Sequence, residues 1–316
     1  MKRENRIVLV TGAAGFAGSP VVERLLAAGV PVRALVHEAS APPGADTVRG
    51  DLARAASLRG LCEDVTTVLH LASRIGGTLR ECRAVNVDGT RALLAEARRA
   101  GVRRIVQLGT AAVYGDGAHR GAAEGELPEQ PASVTSVTRL AGERLVLAAG
   151  GTVLRPHLVY GRGDRWVVPS LLQLLAGLPH WVDGGRARMS LTSVDALAGA
   201  LAELAVREED APAGVLHAGH PEPVTARELV ETVTRELALP LPAGDVDIPR
   251  ALELLGGTGG TDPALRRRLR LLAVDHWYDS GRLWAGLKAS PGPPFPEAFA
   301  RCAPWYRGGG GAPAAV

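Results

Sequence analysis

The stretch Ile7-Val8-Leu9-Val10-Thr11-Gly12-Ala13-Ala14-Gly15-Phe16-Ala17-Gly18 constrains the fold of this chain more than any other. A β-branched apolar run stops at Gly12, Gly15 and Gly18, and an amphipathic segment with Val21, Val22, Leu25 and Leu26 follows. That order predicts a strand, a tight turn and a helix start, the opening of a crossover unit that binds a dinucleotide. Gly12 permits the sharp turn, Gly15 lets the backbone approach a pyrophosphate, and Gly18 lets helix and strand pack closely. The helix N-terminus, with Phe16 and Ala17 leading into it, offers N–H groups to the anion. The same glycines would also suit an ordinary strand-to-helix turn, but their place at the first strand favours the nucleotide.

A chain of 316 residues can build one large α/β domain, or one domain with a smaller lobe. Its 46% hydrophobic and 22% charged residues are those of a soluble globular protein. The net charge of +3 comes without a basic run or aromatic–basic interleaving, which argues against a nucleic-acid partner. No apolar run approaches the ~18 residues of a membrane span, and no signal-peptide pattern precedes the first strand. Cys62, Cys82 and Cys302 are few, odd in number and widely spaced, as expected of buried thiols in the cytoplasm and of neither disulfides nor a metal site. The expected partner is a small molecule, and the expected state a monomer or homodimer. Lys2 and Lys288 are the only lysines, so a mechanism needing an interior lysine has almost no candidates.

Up to residue 160, short apolar runs alternate with helical patterns, as a parallel sheet requires. Strands are predicted at 6–11, 32–36, 47–49, 66–71, 103–109 and 151–155, and helices at about 16–28, 54–61, 86–100 and 134–149. Segment 160–190 then mixes apolar stretches with Trp166, Pro169, Pro179 and Trp181. A helix over 191–206 and a strand at 214–217 follow, and from 220 the chain reads as Pro-punctuated helix ending at Trp305-Tyr306. The predicted fold class is α/β, a Rossmann-like doubly wound parallel sheet with a small C-terminal substrate lobe. The dinucleotide domain takes 1–159 plus 190–218 and the lobe 160–189 plus 219–307. The Gly/Ala/Pro tail 308–316 is expected to be disordered.

Several segments in order resemble the extended short-chain dehydrogenase/reductases, the NAD-dependent epimerase/dehydratase family. The glycine loop is similar to the family's TGxxGxxG. Gly50-Asp51-Leu52 resembles its Gly-Asp-Leu, which implies that Asp51 accepts from the adenine amino group and Leu52 lies beside it. Leu71-Ala72-Ser73 ends a strand similar to the one that borders the cofactor ribose. Asn86-Val87-Asp88-Gly89-Thr90 and Thr110-Ala111-Ala112-Val113-Tyr114-Gly115 resemble two further family segments, and Leu154-Arg155-Pro156-His157 opens one that passes the nicotinamide at Pro156. The likeness runs from about Ile7 to Arg307.

The departure falls on the catalytic pair. The family carries Tyr-x-x-x-Lys ahead of Leu-Ala-Gly-Glu; here Leu140-Ala141-Gly142-Glu143 is intact, and Thr135 and Arg139 stand in place of the tyrosine and lysine. No tyrosine of the chain has a lysine four residues on. An arginine still bonds ribose hydroxyls and keeps positive charge beneath the nicotinamide, but it is never deprotonated. Thr135 is an alcohol, far weaker as an acid than a phenol. Thr110, Thr135 and Arg139 are therefore the candidate catalytic residues, with the proton expected from the substrate itself.

Cofactor choice is read at the end of the second strand, Val32-Arg33-Ala34-Leu35-Val36-His37-Glu38. His37 stands where a carboxylate would hold the ribose diol of NAD, which points to NADP; Glu38, one place later, leaves NAD possible. Ala111, His157, Trp166, Trp181 and Arg188 are candidate substrate contacts. Arg188 resembles an anion clamp or is a surface arginine, and the tryptophans, with Trp277, line a slot for a flat ligand or form lobe core. The resulting expectation is an NAD(P)H-dependent ketoreductase without the usual tyrosine, similar to the atypical ketoreductases of angucyclinone-type polyketide antibiotics. Two alternatives stand beside it, a nucleotide-sugar epimerase or dehydratase and a non-catalytic dinucleotide-binding regulator.

Overall fold

Parallel strands cannot be joined by hairpins, so each pair needs a crossover, and the crossover helices cover the sheet faces. The computed structural model describes residues 6–207, 213–256 and 263–309. The chain runs β1 (Ile7–Thr11), α1 (Gly18–Ala27), β2 (Val32–Val36), β3 (Asp46–Arg49), β4 (Val65–His70), α2 (Leu79–Arg83), α3 (Thr90–Arg99) and β5 (Arg104–Leu108). It continues through β6 (His119–Ala122), α4 (Val134–Ala148), β7 (Thr152–Arg155), β8 (Leu158–Tyr160), α5 (Val167–Gly177), β9 (Trp181–Val182), β10 (Arg188–Met189), β11 (Leu191–Ser193), α6 (Val194–Val206) and β12 (Gly214–His217). The last third is β13 (Val224–Thr225), α7 (Ala226–Leu237), β14 (Asp245–Val246), α8 (Ile248–Gly256), α9 (Pro263–Ala273), β15 (His276–Tyr278), α10 (Gly281–Ala285) and α11 (Phe295–Arg307).

Seven strands form the main sheet in the order β12-β7-β5-β4-β1-β2-β3, every pair parallel. The winding reverses between β1 and β4, and a doubly wound sheet opens its ligand crevice at that point, past the strand C-termini. Val8 and Val10 pack with Val21 and Leu25 of α1 and Leu197 and Leu201 of α6. Leu9 and Val68 face the other way, toward Leu93 and Ala97 of α3. Burial on both faces is why these strands read as unbroken apolar runs and not as alternating ones.

A second sheet, β13-β10-β15-β6, belongs to the smaller lobe, whose core includes Met189, Leu229, Phe295, Phe299 and Tyr306. Residues 119–122, expected in the dinucleotide domain, form β6 and pair in parallel with β15. Gly121 makes the pairing possible. Its φ is +70°, and a β-carbon there would lie 2.5 Å from the Trp277 ring.

Three further expectations change. The helix at 54–61 is one 3-10 turn, Ala55–Leu58. The helix expected to start at 86 starts at Leu79, capped by Thr78 and Glu81, and carries a π-helical turn over Ala84–Gly89. Residues Leu191–Ser193 form a strand before α6, and the Pro-punctuated segment contains β13, β14 and β15. Strands of two or three residues are too short to display a period, which is why the pattern hid them. Of the tail 308–316, residues from 310 on lie outside the described residues. Among the described residues no helix is long and apolar enough to cross a membrane.

Candidate active site

The residues expected at the cofactor follow the C-terminal ends of strands that share one edge of the sheet. Gly12 follows β1, His37 β2, Asp51 β3, Leu71 β4, Gly109 β5 and Pro156 β7. Gly12 has φ +67°, and a β-carbon there would stand 2.8 Å from the Ala72 amide nitrogen. At Gly18 it would stand 2.0 Å from the Gly12 carbonyl oxygen, whereas at Gly15 only that same oxygen, at 3.1 Å, is near. Gly12 and Gly18 therefore hold the turn together, while the space over Gly15 is left open: a cradle that a side chain would fill. These residues fit a dinucleotide. Phe16 packs on Gly163, and Ala17 is the N-cap of α1. Asp51 accepts from Ala53 N–H at 2.8 Å, and its other carboxylate oxygen lies 3.6 Å from Arg54 and 3.9 Å from His37. Arg33 takes no part, because its guanidinium is spent on Asp46 and on the carbonyls of Leu61 and Glu63.

A hydrogen-bond chain braces this edge from below. The Ala72 N–H donates to Thr11 Oγ1, which leaves the Thr11 hydroxyl to donate to His70 Nδ1 at 2.8 Å. His70 Nε2 then donates to Thr90 Oγ1 at 2.9 Å, and Thr90 donates to the Asn86 carbonyl. Burial, assisted by Arg139, pushes the His70 pKa down to about 4, so the ring stays neutral. Asn86 accepts from Arg74 N–H and donates to the Arg74 carbonyl and to Thr138, tying the 72–78 loop to α4.

Thr110, Thr135 and Arg139 converge on one cavity of about 170 Å³, joined by Ala111 and His157. Thr110 Oγ1 accepts from Ala112 N–H and Thr135 Oγ1 accepts from Gly76 N–H, so each hydroxyl hydrogen is left for a ligand. Arg139 Nη2 donates to the carbonyls of Leu108 (2.9 Å) and Gly109 (2.8 Å) at the end of β5. Burial lowers its pKa and Glu143 works against that; the guanidinium remains a cation. Glu143 is fully buried, accepts from the Thr110 N–H and pairs with Arg155 Nε at 2.8 Å. Burial raises its pKa against the pull of Arg155 and Arg139.

Other expected contacts lie elsewhere. Trp166 precedes α5 and is 41% exposed. Trp181 stacks beneath Arg227, 4.1 Å from its ring centroid, at a separate apolar pocket of about 30 Å³. Arg188 is exposed, its backbone N–H held by Asp275. Trp277 covers Gly121. Its neighbours His276 and Tyr278 line the cavity instead, as strand alternation dictates. Sequence reading missed both. Their signal was the His-Trp-Tyr triplet, in which the conspicuous tryptophan is the residue that turns away. Asp116 and Arg267 also line the cavity and pair at 3.3 Å. Among the described residues no group of three or more His, Cys, Asp or Glu side chains is placed to hold a metal.

Comparison with known proteins agrees with this geometry. Residues 8–218 match the NAD dependent epimerase/dehydratase family. A 4-hydroxy-2-methyl-3-oxo-4-farnesyl-3,4-dihydroquinoline-1-oxide ketoreductase of Stigmatella aurantiaca is 31% identical over 223 residues, 66% of either chain, just under two thirds of its length. A 2-alkyl-3-oxoalkanoate reductase of Stenotrophomonas maltophilia is 28% identical over 299 residues, 86% of this chain and 90% of that one. Among solved structures, MoeE5 in complex with UDP-glucose and NAD superposes with a TM-score of 0.73 at 29% identity, covering 96% of this chain and 99% of that one. With a glycine cradle at the β1–α1 turn, a parallel sheet wound both ways from it and a cavity at the strand ends, the chain belongs to the NAD dependent epimerase/dehydratase family and is a nicotinamide-dinucleotide enzyme of its oxidoreductase and epimerase kind.

Proposed function

We propose that this protein is an NAD(P)H-dependent ketoreductase of a polycyclic aromatic ketone, of the angucyclinone type made on the way to polyketide antibiotics. The observation that carries the reading is Thr135, an alcohol in the wall of a cavity it shares with Thr110 and Arg139, where the sequence resemblance places the family's tyrosine. When bound, the reduced nicotinamide supplies a hydride to the carbonyl carbon, and the carbonyl π pair becomes an alkoxide. Thr110 and Thr135 offer that oxygen hydrogen bonds, but neither is acidic enough to neutralise it. A phenol adjacent to the ketone is. It passes its proton to the alkoxide within the substrate, and the phenolate is reprotonated from water. The cavity takes the reacting ring, while the remaining rings extend through its mouth.

The ketoreductase and oxoalkanoate reductase among the relatives support ketone reduction. UDP-glucose in MoeE5 supports the nucleotide-sugar alternative. Against that alternative stand the two cavity cations. Arg139 is tied to two carbonyls and Arg267 to Asp116, so neither guanidinium that lines the cavity is left uncommitted for a diphosphate. NADPH is favoured by His37 at the ribose position, with Arg49 and Arg54 close by. The free thiols Cys62, Cys82 and Cys302 support a cytoplasmic setting. The test is cofactor oxidation with hydroxylated polycyclic ketones, using NADPH and NADH in parallel, beside calorimetry with UDP-sugars. Turnover of the ketones with NADPH preferred supports the reading; tight UDP-sugar binding with inert ketones overturns it.

A further inference from the structure

One side of the cavity is a cluster of rings. His157 stacks on His276 with centroids 5.4 Å apart and planes at 15°, and Tyr278 lies 5.8 Å from His157. His276 Nδ1 donates to the Val274 carbonyl at 2.8 Å, and the Tyr278 hydroxyl is held 2.9 Å from His119 Nδ1. His276, His119 and Tyr278 are thus fixed by hydrogen bonds, and together they hold the His157 ring in place. His157 itself differs. Among the described residues neither of its ring nitrogens has a hydrogen-bond partner, and Nε2 is shut away from water. Three other side chains also hold a buried polar atom without a partner: Gln107, His180 and Thr192. None of these lines the cavity of Thr110, Thr135 and Arg139.

Because Nε2 has no accessible surface, Nδ1 is the ring nitrogen that a ligand in the cavity can reach. Neutral imidazole always carries one N–H, so whichever tautomer is present, one donor and one acceptor stand vacant. The surroundings keep the ring neutral. Burial, then His276 and His119, press its pKa down to about 3; the charged groups at the cavity are Asp116 with Arg267, already paired, and Arg139. His157 forms part of the wall of the same cavity as Thr110 and Thr135.

We propose that neutral His157 donates its Nδ1 N–H to the carbonyl oxygen being reduced, acting with Thr110 and Thr135 as a third donor to the developing oxyanion. It gives a hydrogen bond and not a proton. The proton that ends on the alkoxide still comes from the substrate's phenol, and His157 is neutral before and after. This rests on the ketoreductase reading of the site, and it turns the cavity into an oxyanion hole of neutral donors.

His157→Phe keeps an aromatic ring of similar shape on His276, and His157→Gln keeps an N–H. With a hydroxylated aryl ketone and saturating cofactor, kcat is expected to fall about tenfold in the Phe variant, with KM changing less, and to recover at least about threefold of that loss in the Gln variant. The wild-type kcat should be flat between pH 5 and pH 9, since no imidazolium is used. A kcat that rises tenfold per unit as pH falls makes His157 a proton donor and overturns the proposal. So does a Phe variant as fast as wild type, or a Gln variant no faster than Phe. A binding arm separates this failure from that of the reductase reading. Calorimetry compares the ketone with its methylene analogue on cofactor-loaded protein. A preference for the ketone of about tenfold, erased by His157→Phe, upholds the donor even where no ketone turns over; no preference in wild type overturns it.

Discussion

The dinucleotide edge and the reacting cavity are built from different materials. Along the edge the work is done by backbone: glycines that permit close approach, amides at a helix start, and strand ends brought level by a parallel register. At the cavity it is done by side chains drawn from distant segments, with Thr135 and Arg139 on α4, His157 beyond β7 and His276 on β15. A backbone device tolerates almost no substitution at the positions that form it, and so it is written in a short, readable run. A side-chain device tolerates exchange of chemistry while the scaffold stays, and in the proposed reading Thr135 and Arg139 are such exchanges on the helix that carries Leu140-Ala141-Gly142-Glu143.

The largest effect expected from breaking this contrast is on the backbone side. Gly15→Val should weaken cofactor binding by about 100-fold or more, roughly 3 kcal/mol, because the side chain fills the open cradle. Its melting temperature should stay within about 3 °C of wild type, and calorimetry with a thermal scan checks both. Gly18→Val differs: its β-carbon meets the Gly12 carbonyl, so the loop itself must give way and the melting temperature must fall.

On the side-chain side, Arg139→Ala removes the guanidinium that donates to two carbonyls at the end of β5. Steady-state kinetics should show kcat/KM lower by about 30-fold, and Arg139→Lys should regain most of it, since one ammonium can serve the same oxygens. Full activity in the Ala variant would remove Arg139 from the site.

The fold was legible where length and burial gave a signal. Inner strands such as β1 and β4, buried on both faces, read as apolar runs, and β1 with its glycines named the edge by itself. That Thr135 and Arg139 share a cavity with Thr110 was legible because Leu140-Ala141-Gly142-Glu143 set the register of the first two and Thr110 opens its own recognisable segment. His276 and Tyr278 were not, because β15 is three residues long and its partner β6 lies more than 150 residues earlier in the chain. The π-turn at Ala84–Gly89 was hidden as well, since a single altered turn leaves the helical period intact on either side.

A smaller effect concerns pH. His70 and His157 have folded pKa values of about 4 and about 3, below the ~6.5 of an unfolded histidine. The unfolded chain therefore binds more protons between those values, and stability is lost as pH falls from about 6.5 toward 4. Thermal scans should show that loss, and His157→Phe should show a shallower one. The smallest effect is expected of Thr135→Ala, a drop in kcat of about threefold, since the hydroxyl contributes one hydrogen bond and no acid.

The central claim is that the protein lends no acid to the reduction. It is tested most directly by single-turnover hydride transfer to a hydroxylated aryl ketone and to the same ketone with the adjacent phenol methylated. The methyl ether should react at least about 100-fold more slowly with wild-type protein, while Thr135→Ala keeps most of its rate on the free phenol. Equal rates for phenol and ether, together with an inactive Thr135→Ala, would place the proton on the protein and contradict the claim.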